Sequence, residues 1–146
     1  LYTYWRRSVP PPDMEAFDAP SRDVCVGRRA TTSTPLQALV LLNEPTRQEA
    51  SRKLSEGLAD KDPLAAQITT AFRLILSRPP NAKELAALER MYNTSLADFT
   101  ANPTAATTLL TAGGTALPNA ELIPALAART LVVRVILNLD EAITKR

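Results

Sequence analysis

Three arginines and two aspartates crowd into the stretch Phe17-Asp18-Ala19-Pro20-Ser21-Arg22-Asp23-Val24-Cys25-Val26-Gly27-Arg28-Arg29, shortly before a helix-start signal at Thr34-Pro35. A guanidinium is a planar fork of N–H donors that grips carboxylate, sulfate or phosphate in a bidentate way. A helix N-terminus adds unpaired N–H groups and the positive end of the helix dipole. Arg22, Arg28 and Arg29 could thus form an anion-binding site for an acidic, for example sulfated, polysaccharide. The competing reading pairs Asp18 and Asp23 with these arginines, so that ion pairs pin the segment in place. Structural ion-pair networks imitate functional sites in this way, and pinning is the favoured role.

Other chemistry is sparse. The chain has no histidine, which excludes His-based triads, Cys-His dyads, His-ligated zinc and a proximal haem ligand from within it. Its single cysteine, Cys25, cannot form an intrachain disulfide. Arg28 and Arg29 lie near enough in sequence to favour a thiolate, but without a partner base Cys25 reads better as a small, buried apolar side chain. Gly113-Gly114 has neither the spacing nor the lysine of a phosphate loop and reads as a helix C-cap. Asp140 and Glu141 are adjacent, and consecutive helical positions do not face each other. A carboxylate hydrolase built on Asp18 or Asp140 needs groups from elsewhere and a carboxyl pair at a suitable separation. No catalytic residue, metal site or cofactor site is assigned.

These residues must be held by helices. Residues 1–33 read as an irregular arm, because Pro10-Pro11-Pro12 and Pro20 cannot lie inside a helix, with Tyr2, Tyr4, Trp5, Met14 and Phe17 as its anchors. Residues 34–146 read as a helical domain. Thr34-Pro35-Leu36-Gln37 has a capping hydroxyl, a proline at the first helical position and a glutamine where a capping box needs it. A helix to about Asn43 is followed by a second from Pro45, with Ala50, Leu54 and Leu58 on its apolar face. Asp62-Pro63 opens a third, carrying Leu64, Ile68, Ala71, Phe72 and Ile75 at helical spacing. Ser77-Arg78-Pro79-Pro80 ends it, and Asn81-Ala82-Lys83-Glu84 caps a fourth with Leu85, Leu88, Tyr92, Leu96 and Phe99 on one stripe. Asn102-Pro103 opens a short fifth. The last helix starts at Asn119 or near Pro124 and is apolar over most of its circumference, which predicts the most buried position. With no strand pattern in competition, the expected fold is all-α: a single helical bundle of about five or six helices with an irregular N-terminal arm.

Composition agrees with one such domain. The chain has 146 residues, 45% hydrophobic and 22% charged, with a net charge of +2. Lys and Arg are spread along it, unlike a nucleic-acid arm or an anionic-membrane anchor. The longest unbroken apolar run, Ala38 to Leu42, is too short for a membrane span. The abrupt aromatic start Leu1-Tyr2-Thr3-Tyr4-Trp5 leads us to expect upstream residues on which it packs.

Phe17-Asp18-Ala19-Pro20, Arg22, Cys25, Arg28-Arg29 and the run from Thr34 to Asn43 resemble the C-terminal part of a planctomycete-specific domain of unknown function found at the C-terminal end of large secreted proteins. Ala71-Phe72-Arg73, Ser77-Arg78-Pro79-Pro80, Glu84-Leu85 and the ending Leu137-Asn138-Leu139-Asp140-Glu141 fit the same family. The resemblance implies an extracytoplasmic location, in the periplasm or at the cell surface. It also implies a multidomain protein whose upstream domains include a cytochrome c-like one, where any haem would reside. It carries no catalytic residue. Where the family leads us to expect charged residues and asparagine, this chain has Ala30-Thr31-Thr32-Ser33, so the polar cluster is expected to stop short of them. The leading functional expectation is a non-catalytic structural and interaction module whose partners are the upstream domains of its own polypeptide.

Overall fold

The computed structural model describes residues 4, 9, 11–20, 24–28, 32, 34–58, 62–111 and 119–144. These form eight α-helices and one 3₁₀ turn, with no strand among the described residues, so the fold is all-α. The chain divides into two compact units, Leu1–Asn43 and Glu44–Arg146.

In the first unit α1 (Pro12–Ala16) packs against α2 (Pro35–Asn43). A helix inside the proline-rich arm was not expected from sequence. It forms because Pro11 is extended at the N-cap and Pro12 occupies the first turn, where a missing N–H costs nothing and the fixed φ is already helical. Of the expected anchors, Met14 and Phe17 are half-buried, Tyr4 is exposed, and Tyr2 and Trp5 lie outside the described residues. Gln37 is the one buried residue among those described in this unit.

The second unit is a bundle of α3 (Pro45–Glu56), α4 (Leu64–Leu76), α5 (Ala82–Ala101), α6 (Pro103–Thr111), α7 (Ile123–Leu137) and α8 (Asp140–Ile143). Its boundaries follow from local chemistry. Pro45 starts α3 at the first turn after an extended Glu44. Ser77 ends α4 in a left-handed conformation, φ 59°, with its N–H on the Arg73 carbonyl at 3.0 Å; Pro79 and Pro80 prevent continuation. Asn102 closes α5 through its N–H to Asp98 O and caps α6 through its Oδ1, which accepts from Ala105 N at 3.3 Å. The two starts that the sequence allowed for the last helix are both used: a 3₁₀ turn at Ala120–Leu122 runs into α7, whose Pro124 lies in the first turn. Asn138 closes α7 through its N–H to Arg134 O and Val135 O. The expected C-cap at Gly113-Gly114 lies outside the described residues.

α7 is the axis of this unit and packs on α3, α4, α5, α6 and α8. Leu126, Ala127, Ala128, Arg129, Thr130, Val132, Val133 and Ile136 are all buried, as its all-round apolar pattern predicted. One core cluster joins Val132, Val133 and Ile136 to Phe72, Ile68, Ala71, Leu88 and Leu58; a smaller one joins Leu126 and Ala127 to Ala106 and Leu110. The expected faces of α4 and α5 are those that pack.

Leu54 and Leu58 pack on the core as expected, and the face of α3 departs from expectation at Ala50. Ala50 is exposed, and the fully buried side chains are Ser51 and Ser55, one turn apart. Small residues let α7 lie close against α3. Their hydroxyls are satisfied within the helix: Ser51 Oγ donates to Arg47 O at 2.6 Å, and Ser55 Oγ to Ser51 O at 2.8 Å. A periodicity reading looks for large apolar residues and passes over buried serines whose polarity is cancelled locally.

Candidate functional site

Asp18 sits just past α1 in a left-handed conformation, φ 56°, which aspartate tolerates better than most residues. Its Oδ2 accepts from Thr32 N at 2.8 Å and from Thr32 Oγ1 at 2.7 Å. Thr32 Oγ1 in turn accepts from Gln37 Nε2 at 2.9 Å. Gln37 completes the expected capping box: its Oε1 accepts from Thr34 N at 3.0 Å, and its N–H donates to Thr34 Oγ1 at 3.3 Å. The run Asp18–Thr32–Gln37–Thr34 ties the segment after α1 to the start of α2. Thr32, in the stretch where the polar cluster was expected to have ended, is its central member. A hydroxyl that donates to one neighbour and accepts from another leaves no mark in sequence beyond its type.

Arg28 and Cys25 lie on the exposed segment 24–28. Cys25 was expected to be buried. It is exposed because no helix carries this segment into a core. Arg22, Asp23 and Arg29 lie outside the described residues. At the start of α2, Pro35 brings no N–H, and those of Gln37 and Ala38 are taken by Thr34. The helix end therefore offers an anion fewer donors than a start without these features.

The densest polar cluster is elsewhere, on Arg78 between α4 and α5. Nε and Nη2 grip Glu141 of α8, at 2.9 Å to Oε1 and 2.7 Å to Oε2. Nη1 and Nη2 grip Glu84 of α5, at 3.0 and 2.9 Å. Nη1 also donates to Pro79 O at 3.2 Å, so every N–H of the guanidinium has an acceptor. The cation lies over the fully buried Phe72 ring, 5.2 Å from its centroid, a favourable cation–π distance. Glu84 is shared: it accepts from Asn81 N at 2.7 Å while Asn81 Oδ1 accepts from Glu84 N, the reciprocal capping box the sequence predicted. The Arg78 hydrogen bond, with help from Asn81 N–H, draws the Glu84 carboxyl down to about 2; Glu84 and then Glu141 hold Arg78 well above its ordinary value. Sequence supplied the Asn81–Glu84 half of this cluster. The Glu141 half is a tertiary contact that no local pattern encodes.

Arg52 on α3 is a buried cation, 3% exposed. Its Nη1 donates to Leu110 O near the end of α6 at 2.6 Å, and its Nε to Glu56 at 2.8 Å. Lys53 completes the group at 2.9 Å from Glu56. The Lys53 hydrogen bond, followed by that from Arg52, lowers the Glu56 pKa against the effect of burial. Arg47 likewise donates to Leu137 O at 3.3 Å. The polar helix α3 thus places cations on the carbonyl ends of α6 and α7, where the helix dipoles favour positive charge.

Asp140 accepts from Thr144 Oγ1 at 3.1 Å, whereas Glu141 turns to Arg78, so the adjacent carboxylates diverge. A cavity lined by Tyr92, Gln67, Arg129, Ile68 and Val132 measures about 10 Å³, room for one water at most. No group of three or more metal-ligating side chains occurs among the described residues, and no helix among them is long and apolar enough to cross a membrane.

No curated protein and no solved structure matches the chain. A family model does, over residues 1–92, which include the Asp18–Thr34 run, the Asn81–Glu84 box and Arg78. The chain belongs to the PSD1 family, described as "Protein of unknown function (DUF1553)".

Proposed function

We propose that this chain is a non-catalytic structural and interaction module of a larger multidomain protein, working outside the cytoplasm by packing against upstream domains of the same polypeptide. The planctomycete setting, the extracytoplasmic location and an upstream cytochrome c-like domain holding haem belong to this proposal through the resemblance of the motifs. The observation that carries it is the composition of the first unit. Its described residues include no buried apolar side chain, yet Tyr4, Val9, Val24, Val26, Leu36 and Leu39 are exposed. Leu36 and Leu39 are 59% and 55% exposed and three positions apart on α2, hence on one face. Exposed apolar groups gathered in one region mark interaction surfaces. The non-catalytic part rests on Asp18, Arg78, Glu84 and Glu141 each being engaged in bonds that hold elements together.

The test is association in solution. This chain and the separately expressed upstream domains are mixed and followed by analytical ultracentrifugation. The expected result is a complex that the double variant Leu36→Ser, Leu39→Ser loses while keeping its helical circular dichroism. No complex with the unaltered chain would overturn the reading.

A second reading takes Arg28, exposed on the segment 24–28, with Arg22 and Arg29 as a site for acidic polysaccharide. It predicts a salt-sensitive rise in thermal stability with sulfated or uronic-acid oligosaccharides. The variant Arg28→Ala, Arg29→Ala should abolish that rise.

A further inference from the structure

We propose that α8 is a detachable strap, docked on the bundle through Arg78 and able to lift while the other helices of its unit stay folded. A helix of four residues has no stability of its own, and none of those in α8 is buried. It rests on α4 and α7, and Glu141 is the side chain by which Arg78 grips it.

The grip is asymmetric. On one side Glu84 is held twice, by the guanidinium and by its own capping box, and its side chain is 29% exposed. On the other, the Glu141 side chain is 50% exposed, so water and salt compete for it. Phe72 beneath the guanidinium and Glu84 beside it keep Arg78 in place when Glu141 departs. Lifting α8 frees the Nε and Nη2 edge of Arg78, while Leu139, just before α8, stays packed against the core cluster. The second unit thus has a fixed body and an element, α8, that an exposed ion pair helps to dock.

Hydrogen exchange on the intact chain tests this, resolved by residue at Ala142, Ile143 and Thr144, whose N–H groups bond to Leu139 O, Leu139 O and Asp140 O. Val133 and Ile136 of α7 serve as the internal reference. Raising salt on the unaltered chain, and separately Glu141→Gln at low salt, should speed exchange in α8 by up to about fivefold, the range of an exposed ion pair. The α7 amides should not change. Equal acceleration in α7 would show that α8 opens only with the whole unit, and no acceleration in α8 under either condition would show that other contacts hold it; each result overturns the proposal. The salt series needs no substitution and stands even if the variant folds poorly.

Discussion

Arg78 and Glu141 meet across 63 positions of sequence, with Nη2 2.7 Å from Oε2 and Nε also in contact with the carboxylate. The contact joins the turn between α4 and α5 to the last helix, over the face of a core phenylalanine. Its strength depends on fork geometry as much as on charge. Lysine keeps the charge but cannot hold Glu84 and Glu141 in two bidentate pairs. We therefore expect Arg78→Lys to lower the midpoint of thermal unfolding nearly as far as Arg78→Ala. A lysine variant that melts with the unaltered chain would show that charge alone suffices.

Acid sensitivity follows from the same cluster. The folded Glu84 carboxyl is drawn from 4.5 to about 2, first by Arg78 and then by Asn81 N–H. Below 4.5 the unfolded chain binds the proton more readily than the folded one, so stability falls with falling pH. The Glu84 contribution is complete above about pH 4.5 and is lost progressively down to about pH 2. Glu56, lowered chiefly by Lys53 and also by Arg52, acts with the same sign. Urea midpoints taken from pH 6 to pH 2 should fall less steeply below pH 4.5 for Glu84→Gln than for the unaltered chain. At neutral pH glutamine can still accept from Asn81 N–H, so that variant loses mainly the charge facing Arg78 and should cost no more than about 1 kcal/mol, the upper range of an exposed ion pair. Parallel curves would contradict the assignment.

The helical frame was legible because proline, capping residues and apolar spacing act locally. Thr34-Pro35-Leu36-Gln37, Asn81-Ala82-Lys83-Glu84 and Asn102-Pro103 each mark a boundary that the structure keeps. The apolar stripes of α4, α5 and α7 named most of the core. What sequence missed depends on partners distant in the chain. Ser51 and Ser55 are buried because α7 lies against them, and Arg52 because its charge finds the Leu110 carbonyl 58 residues on. The bond from Thr32 to Asp18 joins residues 14 positions apart, and the Arg78 cluster could not be assembled without knowing that α8 folds back onto α4.

Ser55 makes the reading of α3 testable by size. Removing its hydroxyl deletes only a bond to the Ser51 carbonyl of its own helix, so Ser55→Ala should change stability by less than about 0.5 kcal/mol. Adding volume at a fully buried contact should cost about 1–3 kcal/mol, so Ser55→Leu should be clearly destabilised. Ala50→Leu, on the exposed face, should be tolerated. Chemical denaturation of the three variants separates this from the alternative face: a tolerated Ser55→Leu with a damaging Ala50→Leu would reverse the assignment.

Arg52→Met keeps most of the buried side-chain volume and removes the guanidinium. The Leu110 carbonyl then loses a charged donor at 2.6 Å, and a hydrogen bond to a charged group is worth about 1.5–3 kcal/mol. A loss of about 2 kcal/mol is expected by chemical denaturation. Methionine packs well, and a variant as stable as the unaltered chain would mean that burying the arginine had cancelled the worth of its bonds.

Thr32→Val tests the junction in the first unit, because valine has the shape of threonine without its oxygen. The Asp18 carboxylate keeps the backbone N–H of residue 32 and loses the hydroxyl; Gln37 Nε2 loses its acceptor at 2.9 Å. Gln37 is 6% exposed, so that N–H is poorly placed to find water instead. A buried donor left without a partner costs about 1–3 kcal/mol. The loss should be local. Amide exchange should accelerate at Gln37 and Ala38, whose N–H groups bond back to Thr34, and stay unchanged at Val133 and Ile136 in the second unit. Asp18→Asn, which tolerates the left-handed backbone and can still accept one bond, should be milder than Asp18→Ala, which does neither. Equal effects of the two would assign the role of Asp18 to its charge alone, and unchanged exchange at Gln37 in Thr32→Val would remove Thr32 from the support of α2.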